Sequence, residues 1–317
     1  MENRDYEEIK IAFQTFVKAW ETGKTEMLDD IVAGDARAEF SIFGECHSRE
    51  NVKGRLAQHR PYTYTRLETG NFVVLIEGNC AYQSGCVVGM FADDSEELYR
   101  NYQWGGNFCN TFEKREGKWV MTDIKFDLQD DIGDRTLVEE WIPINDQIGW
   151  YQGVALPVIS GEIDVPWYKC KHRDNIGSDE EQIAELYYRY ALGIDCNTFQ
   201  LLEDVFSEDL VMNMYPFGIM DKRSFIATLK VHRQAYTRRW HHVGEFKSIT
   251  VNGDTAKCVL YRNEPYRNWP LVMSKSLERK KIVSARYDMR AVKEKDGKWR
   301  INRFDYFHGP FIIGEFE

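Results

Sequence analysis

Apolar positions recur at helical spacing in two places far apart in the chain. Ile9, Phe13, Phe16 and Trp20 fall on one face of a helix predicted over 5–20, and Ile183, Tyr187, Tyr190 and Ile194 do the same over 179–194. Each series continues with a second short helix, a short strand ending in Phe43-Gly44 or Phe217-Gly218, and a third helix near 48–58 or 222–234. The pattern then turns to three or four long strands, divided by polar turns such as NGD at 252–254 and EKDGK at 294–298. Helices first and strands afterwards imply an α+β domain, with helices on one face of an antiparallel sheet.

The two series are copies of one unit. "AWETGKTEMLDDIVAGDARAEFSIFG" (19–44) lies without a gap on "GIDCNTFQLLEDVFSEDLVMNMYPFG" (193–218), at an offset of 174 from Gly44 to Gly218. Leu28 falls on Leu202, Ile31 on Val205 and Asp35 on Asp209, and Arg49 and Arg223 each follow the Phe-Gly pair by five residues. Further on, "FEKREGKWVMTDIKFD" resembles "AVKEKDGKWRINRFDYF". An ordered set of matches of this kind divides the chain into a domain at 1–131, a connector at 132–178 and a second domain at 179–317. The connector carries Trp141, Trp150, Trp167 and three prolines, more aromatic surface than a disordered tether holds. It is expected to be ordered, either closing a pocket or packing across the domains.

Composition narrows the partners. With 317 residues and 43% hydrophobic content there is enough for two cores. A net charge of −10 with no basic stripe argues against nucleic acid. No apolar run reaches the length of a membrane span, and "MENRDYEEIK" lacks the basic and apolar regions of a secretion signal, so a cytoplasmic protein without a membrane partner is expected. Seven scattered cysteines with no C-x-x-C pair indicate neither a disulfide framework nor a zinc site. No Gly-rich phosphate motif appears, and no metal or cofactor is expected.

The order of elements, together with "EEQIAELYYRYALGIDCNTFQLLEDVFSED" and "TRRWHHVGEFKSITVNGDTAKCVLY", resembles the SnoaL-like branch of the nuclear transport factor 2-like superfamily. The resemblance implies two tandem cone-shaped α+β barrel domains. Each would have three helices on a strongly curved sheet around an apolar cavity, and the two would pack as a pseudo-dimer, leaving room for a homo-oligomer. The second copy looks most like the dehydratase branch that includes scytalone dehydratase and the bile-acid 7α-dehydratases. That branch shares a Tyr and an Asp near the end of the first long helix and a His at the start of a later strand. Here these positions are Tyr190, Asp195 and His241. A further histidine that scytalone dehydratase has on the next strand is replaced by the apolar "CVLY" of 258–261, which departs from full scytalone-type chemistry.

Each residue also has a plainer reading. Asp195 sits at the edge of its helix's apolar face, where it either looks into a cavity or serves the turn before "NTFQLLEDVF". His241 and His242 would point to opposite faces of an extended segment, which puts His241 inward if His242 is the solvent-side residue. Tyr190 is either core filling or a hydroxyl donor. Tyr187, Tyr188, Trp240, Tyr261 and Trp269 are the aromatic residues expected around a substrate, and the insertion 262–281 is either a lid or a surface hairpin. The first copy is an internal control: Phe16 stands at Tyr190, Glu21 at Asp195 and Leu67 at His241, so it keeps an acid but lacks the hydroxyl and the imidazole.

This set suits general acid–base chemistry on a bulky apolar hydroxy-carbonyl compound, such as a polyketide, steroid or aromatic metabolite, by a dehydratase or isomerase. A non-catalytic small-molecule binding or assembly protein and a polyketide cyclase with Asp195 as base are the alternatives. His241 within hydrogen-bond reach of Asp195 is the discriminating expectation.

Overall fold

The computed structural model describes residues 4–57, 60–93, 100–144, 153–235, 241–263 and 280–315. The chain divides into two compact units, Met1–Ile176 and Gly177–Glu317. Each is an α+β domain built to one plan.

In the first unit, helix α1 (Arg4–Thr22) leads through a 3₁₀ turn (Thr25–Leu28) to strands β1 (Val32–Phe40) and β2 (Gly44–Cys46) and helix α2 (Arg49–Leu56). Four long strands follow: β3 (Tyr64–Glu77), β4 (Cys80–Asp93), β5 (Arg100–Arg115) and β6 (Lys118–Gly133). They form a six-stranded sheet in the order β2-β1-β6-β5-β4-β3. Every neighbour is antiparallel except β1 and β6, which run parallel, because the helical segment between strand and sheet returns the chain on the far side. The sheet is therefore mixed at this one seam. Phe43-Gly44 does not end a strand but makes the turn from β1 to β2, with Gly44 at a φ of 79° that suits glycine.

The 132–176 segment belongs to this unit. Trp141 is buried against Trp20, Phe43, Phe91 and Trp104, with ring centroids 5.3–6.1 Å away. Helix α3 (Pro166–Lys169) and the residues after it run beside β3: Asn175 accepts from the Ile76 amide at 2.8 Å and donates to the Val74 carbonyl at 2.8 Å. Trp150 lies outside the described residues.

The second unit repeats the plan with α4 (Asp179–Asp195), a 3₁₀ turn (Phe199–Leu202), β7 (Phe206–Met214), β8 (Gly218–Met220), α5 (Lys222–Ala235), β9 (Gly244–Asn252), β10 (Thr255–Arg262), β11 (Lys280–Lys293) and β12 (Trp299–Glu315). Its sheet order is β8-β7-β12-β11-β10-β9, again with a parallel seam at β7 and β12. A capping box starts α4: Ser178 accepts from the Glu181 amide while the Glu181 carboxylate accepts from the Ser178 amide.

The copies share details that pin helix to sheet. Lys114 donates to Asp5 at 2.7 Å and lies 5.5 Å over Trp119, and Lys293 donates to Asp179 at 2.9 Å and lies 5.6 Å over Trp299. Both Gly-Lys-Trp triplets thus serve to place a tryptophan under the start of the long helix. Register extends the equivalence along the strands. Phe108 pairs with Phe126 as Tyr287 pairs with Tyr306, and Lys114 with Trp119 as Lys293 with Trp299. The offset grows from 174 in the helices to 179 in β11 and 180 in β12.

Candidate functional site

Helix α4 ends in a way that frees Asp195 from the turn. Asn197 takes the left-handed conformation at a φ of 56°. The Thr198 amide donates to the Gly193 carbonyl at 2.7 Å and the Asn197 amide to the Ile194 carbonyl at 3.2 Å, which closes two of the exposed carbonyls without the Asp195 side chain. Arg233 on α5 completes the cap, donating through Nε and Nη2 to the Ile194 carbonyl at 3.1 and 3.0 Å.

Asp195 is 2% exposed and turns inward. Its Oδ1 lies 2.6 Å from His242 Nδ1 and its Oδ2 accepts from the His242 amide at 3.1 Å, with Arg233 Nη2 3.7 Å from Oδ1. An ionised carboxylate only accepts hydrogen bonds, so the ring proton sits on Nδ1 and the basic lone pair on Nε2.

Two pKa directions bear on this pair and pull against each other. Burial opposes charge on Asp195, but the His242 imidazole and its hydrogen bond, then His241 and Arg233, outweigh it and hold the carboxyl down at about 2. Burial also lowers His242 below the usual imidazole value, and the Asp195 charge only partly restores it. A neutral ring offers Asp195 less than an imidazolium would. The ionised carboxylate still stands, because the His242 amide and the Arg233 guanidinium stay beside it whichever form the ring takes.

The expectation that His242 is the solvent-side residue is corrected: it is 7% exposed, and it, not His241, makes the ring hydrogen bond to Asp195. The alternation argument failed because residues 241–243 lie ahead of β9 in irregular backbone, where successive side chains need not oppose each other. His241 is also buried, at 1% exposure, and near enough to Asp195 to favour its charge.

Tyr190 is buried beside the dyad, its ring 6.0 Å from the His242 ring and 5.1 Å from Phe304. Tyr187 is wholly buried one turn earlier, 5.7 Å from Tyr190 and 5.6 Å from Tyr287. The structure brings Tyr187, Tyr190 and Asp195 together, and the ring that hydrogen-bonds Asp195 is that of His242. Tyr188 is half-buried against Phe246, and Tyr261 is half-buried beside Phe311. Trp240, Trp269 and nearly all of the 262–281 insertion lie outside the described residues.

Four residues of this cluster were not singled out in the sequence: Arg262, Ser284, Tyr287 and Tyr306. Arg262, 5% exposed at the end of β10, donates through Nε to the Ser284 hydroxyl at 2.7 Å, with its guanidinium 5.9 Å over the Tyr306 ring. The first copy holds a signal that finds the tyrosines. At the register-defined positions Tyr187, Tyr190, Tyr287 and Tyr306 it has Phe13, Phe16, Phe108 and Phe126. The aromatic packing is kept, with Phe13 and Phe108 at 5.5 Å where Tyr187 and Tyr287 are at 5.6 Å. Only the hydroxyls differ.

The first unit also keeps a cavity of ≈ 150 Å³, lined by Trp20, Phe43, Leu56, Tyr62 and Phe91 and closed on one wall by Thr136–Trp141.

Residues 177–305 match the family model described as a SnoaL-like domain. The second unit is the matched part. Among solved structures, the chain is similar to the Kfla4162 protein of Kribbella flavida (12% identity, covering 42% of this chain and 95% of that one, TM-score 0.38). It is also similar to a hexachlorocyclohexane dehydrochlorinase, LinA-type3, of Novosphingobium barchaimii (11% identity, 39% and 86%, TM-score 0.36), and to a nuclear transport factor 2-like protein of Salmonella enterica (7% identity, 40% and 93%, TM-score 0.35). Each of these is about as long as one unit. No curated protein gives a match.

Proposed function

We propose that the second unit is the active unit of a cofactor-free dehydratase or isomerase acting on a hydroxy-carbonyl compound, with His242 as its proton-transfer group. The observation that carries this reading is the buried 2.6 Å pair of Asp195 Oδ1 and His242 Nδ1 at the end of α4. A carboxylate at Nδ1 fixes the tautomer, leaves Nε2 basic and stabilises the imidazolium formed when Nε2 takes a proton.

In a dehydration, Nε2 removes the proton α to the substrate carbonyl, and the electron pair moves onto the carbonyl oxygen as an enolate. The enolate then reforms the carbonyl and expels the β-hydroxyl, which takes the proton back from His242 and leaves as water. In an isomerisation the same proton returns to a different carbon. In this reading Tyr190, whose ring lies 6.0 Å from the imidazole, donates to the oxygen on which charge develops. General acid–base transfer of this kind is worth about 10²- to 10⁴-fold.

The test needs no prior substrate. A panel of cyclic β-hydroxy ketones is incubated in D₂O and followed by NMR for α-proton exchange and loss of water. The wild-type chain is expected to exchange or dehydrate at least one member, and His242→Gln to lose the activity. Equal exchange by the variant would sink the proposal.

A further inference from the structure

Burying a hydroxyl without a partner costs free energy, on the order of a lost hydrogen bond, so such groups are rare in protein cores. The Tyr187 hydroxyl is one: it is fully buried and has no hydrogen-bond partner among the described residues. The other residues of this unit with an unsatisfied buried atom, Arg189, Asn302 and Asp305, are only half-buried.

Tyr187 is held in place from several sides. Its ring packs against Gly244, where any Cβ would sit 2.2 Å from Cε1, and it packs edge-on against Phe246 and Tyr287. Gly244 is two residues after His242 and is paired in the sheet with Arg262. The orphan hydroxyl, the base and a buried guanidinium thus come from adjoining positions, and the Arg262 charge is felt at Tyr187, Tyr190 and His242 alike.

The first unit has neither a hydroxyl nor a cation at these positions. It fills the same positions with Phe13 for Tyr187 and Phe108 for Tyr287, and the residues that occupy the Arg262 region of the neighbouring strand are Cys86 and Val87, both fully buried. A core of the same shape therefore closes with phenylalanine and no cation.

We propose that Tyr187 and Arg262 form an oxyanion pole beside the His242 base, and that the substrates of this site carry an oxygen that becomes or already is an enolate or phenolate. This deepens the reading above and rests on it for the identity of the base. The Tyr187 hydroxyl donates to the substrate oxygen, which is the partner it lacks. Arg262, steered by Ser284 and the face of Tyr306, supplies positive charge to the same atom. Preorganised donors of this kind stabilise charge in a water-excluded site without having to reorient.

The probe is 4-nitrophenol, whose phenolate and phenol forms absorb at different wavelengths, titrated into the full chain at a pH below the pKa of the free phenol. The wild type is expected to bind it as phenolate. Tyr187→Phe is expected to weaken phenolate binding about tenfold, the order of one neutral hydrogen bond, while its Tm stays level or rises because a buried orphan oxygen is removed. Arg262→Lys should keep the charge and bind more weakly, and should shift the bound probe toward phenol. Binding as neutral phenol by the wild type, or phenolate affinity unchanged in Tyr187→Phe, would overturn the pole.

His242→Gln separates the two proposals. Phenolate binding retained in that variant, with no turnover by the wild type, leaves the pole standing and removes the dyad. Turnover that depends on His242 but not on Tyr187 or Arg262 does the reverse.

Discussion

The two units of this chain share element order, strand register and the lysine–tryptophan clasp, and they differ in what fills the space between helix and sheet. In the first, Trp20 and Trp104 stand where the second has Ile194 and Val283, and Trp141 from the connector packs onto both at 6.1 and 5.3 Å. Gly89 makes this filling feasible: a Cβ there would lie 2.2 Å from the Trp104 ring. In the second, these positions hold smaller aliphatic side chains, and the buried residues include tyrosines, a histidine and an arginine. Shape is set by the common frame, and chemistry by which of the buried positions are polar.

The acidic residue at the helix end shows the same split. Glu21 accepts from the Leu67 amide at 3.1 Å and forms an ion pair with Lys18 on its own helix, and Arg60 caps the carbonyls of Trp20 and Glu21. Asp195 likewise accepts a backbone amide, that of His242, one position beyond the counterpart of Leu67, and Arg233 caps the Ile194 carbonyl. What the second unit adds is an imidazole in place of the lysine. An acid at this bend therefore accepts a backbone amide in both copies, and only in the second does a histidine ring reach it.

The largest effect expected is the one that separates these acids. Asp195→Asn should lower kcat/KM by about 10²- to 10⁴-fold, while Glu21→Gln leaves turnover unchanged. Equal losses would remove the asymmetry. The same assay run against pH should show an acid limb with its midpoint below the ordinary imidazole value of 6.5, because burial lowers His242 and the base must be neutral to act. A midpoint above 6.5 would place the ring in a different environment.

Next in size, Trp104→Ala should destabilise the first unit by about 3–5 kcal/mol, the usual cost of emptying a large aromatic site. Chemical denaturation followed by hydrogen exchange can assign the loss to β4–β5. Val283→Ala at the equivalent position should cost less, since fewer atoms are removed. Smaller again is Phe16→Tyr, which copies the second unit's hydroxyl into a core with no partner for it. That should cost about 1–3 kcal/mol, and no measurable loss would mean that the first unit already has room for polar groups.

Much of this was readable in advance because it is periodic. The helical stripes, the repeated Phe-Gly pairs and the Gly-Lys-Trp triplets locate both sheets, and the repeat supplies the control that makes Phe16 and Tyr190 comparable. The angle of Asp195 on its helix depends only on helix geometry and is readable from spacing. His242 was misjudged because the segment before β9 has no period to read. Tyr287 has no such linear signal: the insertion after Arg262 shifts the repeat from 174 to 179, and only the sheet register restores the match. The tryptophan filling of the first unit is a matter of three-dimensional volume, which no linear pattern encodes.

The smallest effect expected falls equally on both units. Asp5→Asn and Asp179→Asn each remove the carboxylate from a lysine–tryptophan clasp that is the same in the two copies, so the two variants should lower Tm by similar and modest amounts. Both carboxyls are held below their ordinary value of 3.8, Asp5 chiefly by its hydrogen bond from Lys114 and Asp179 chiefly by that from Trp299. A carboxyl with a lowered folded pKa contributes stability above its unfolded value and loses it as the pH falls through the folded one. Each variant should therefore be less stable than the wild type at neutral pH, and the difference should shrink below about pH 4 as the wild-type clasp is protonated. A clear drop for one variant and none for the other would show that the clasp, for all its matched geometry, matters to only one of the two folds.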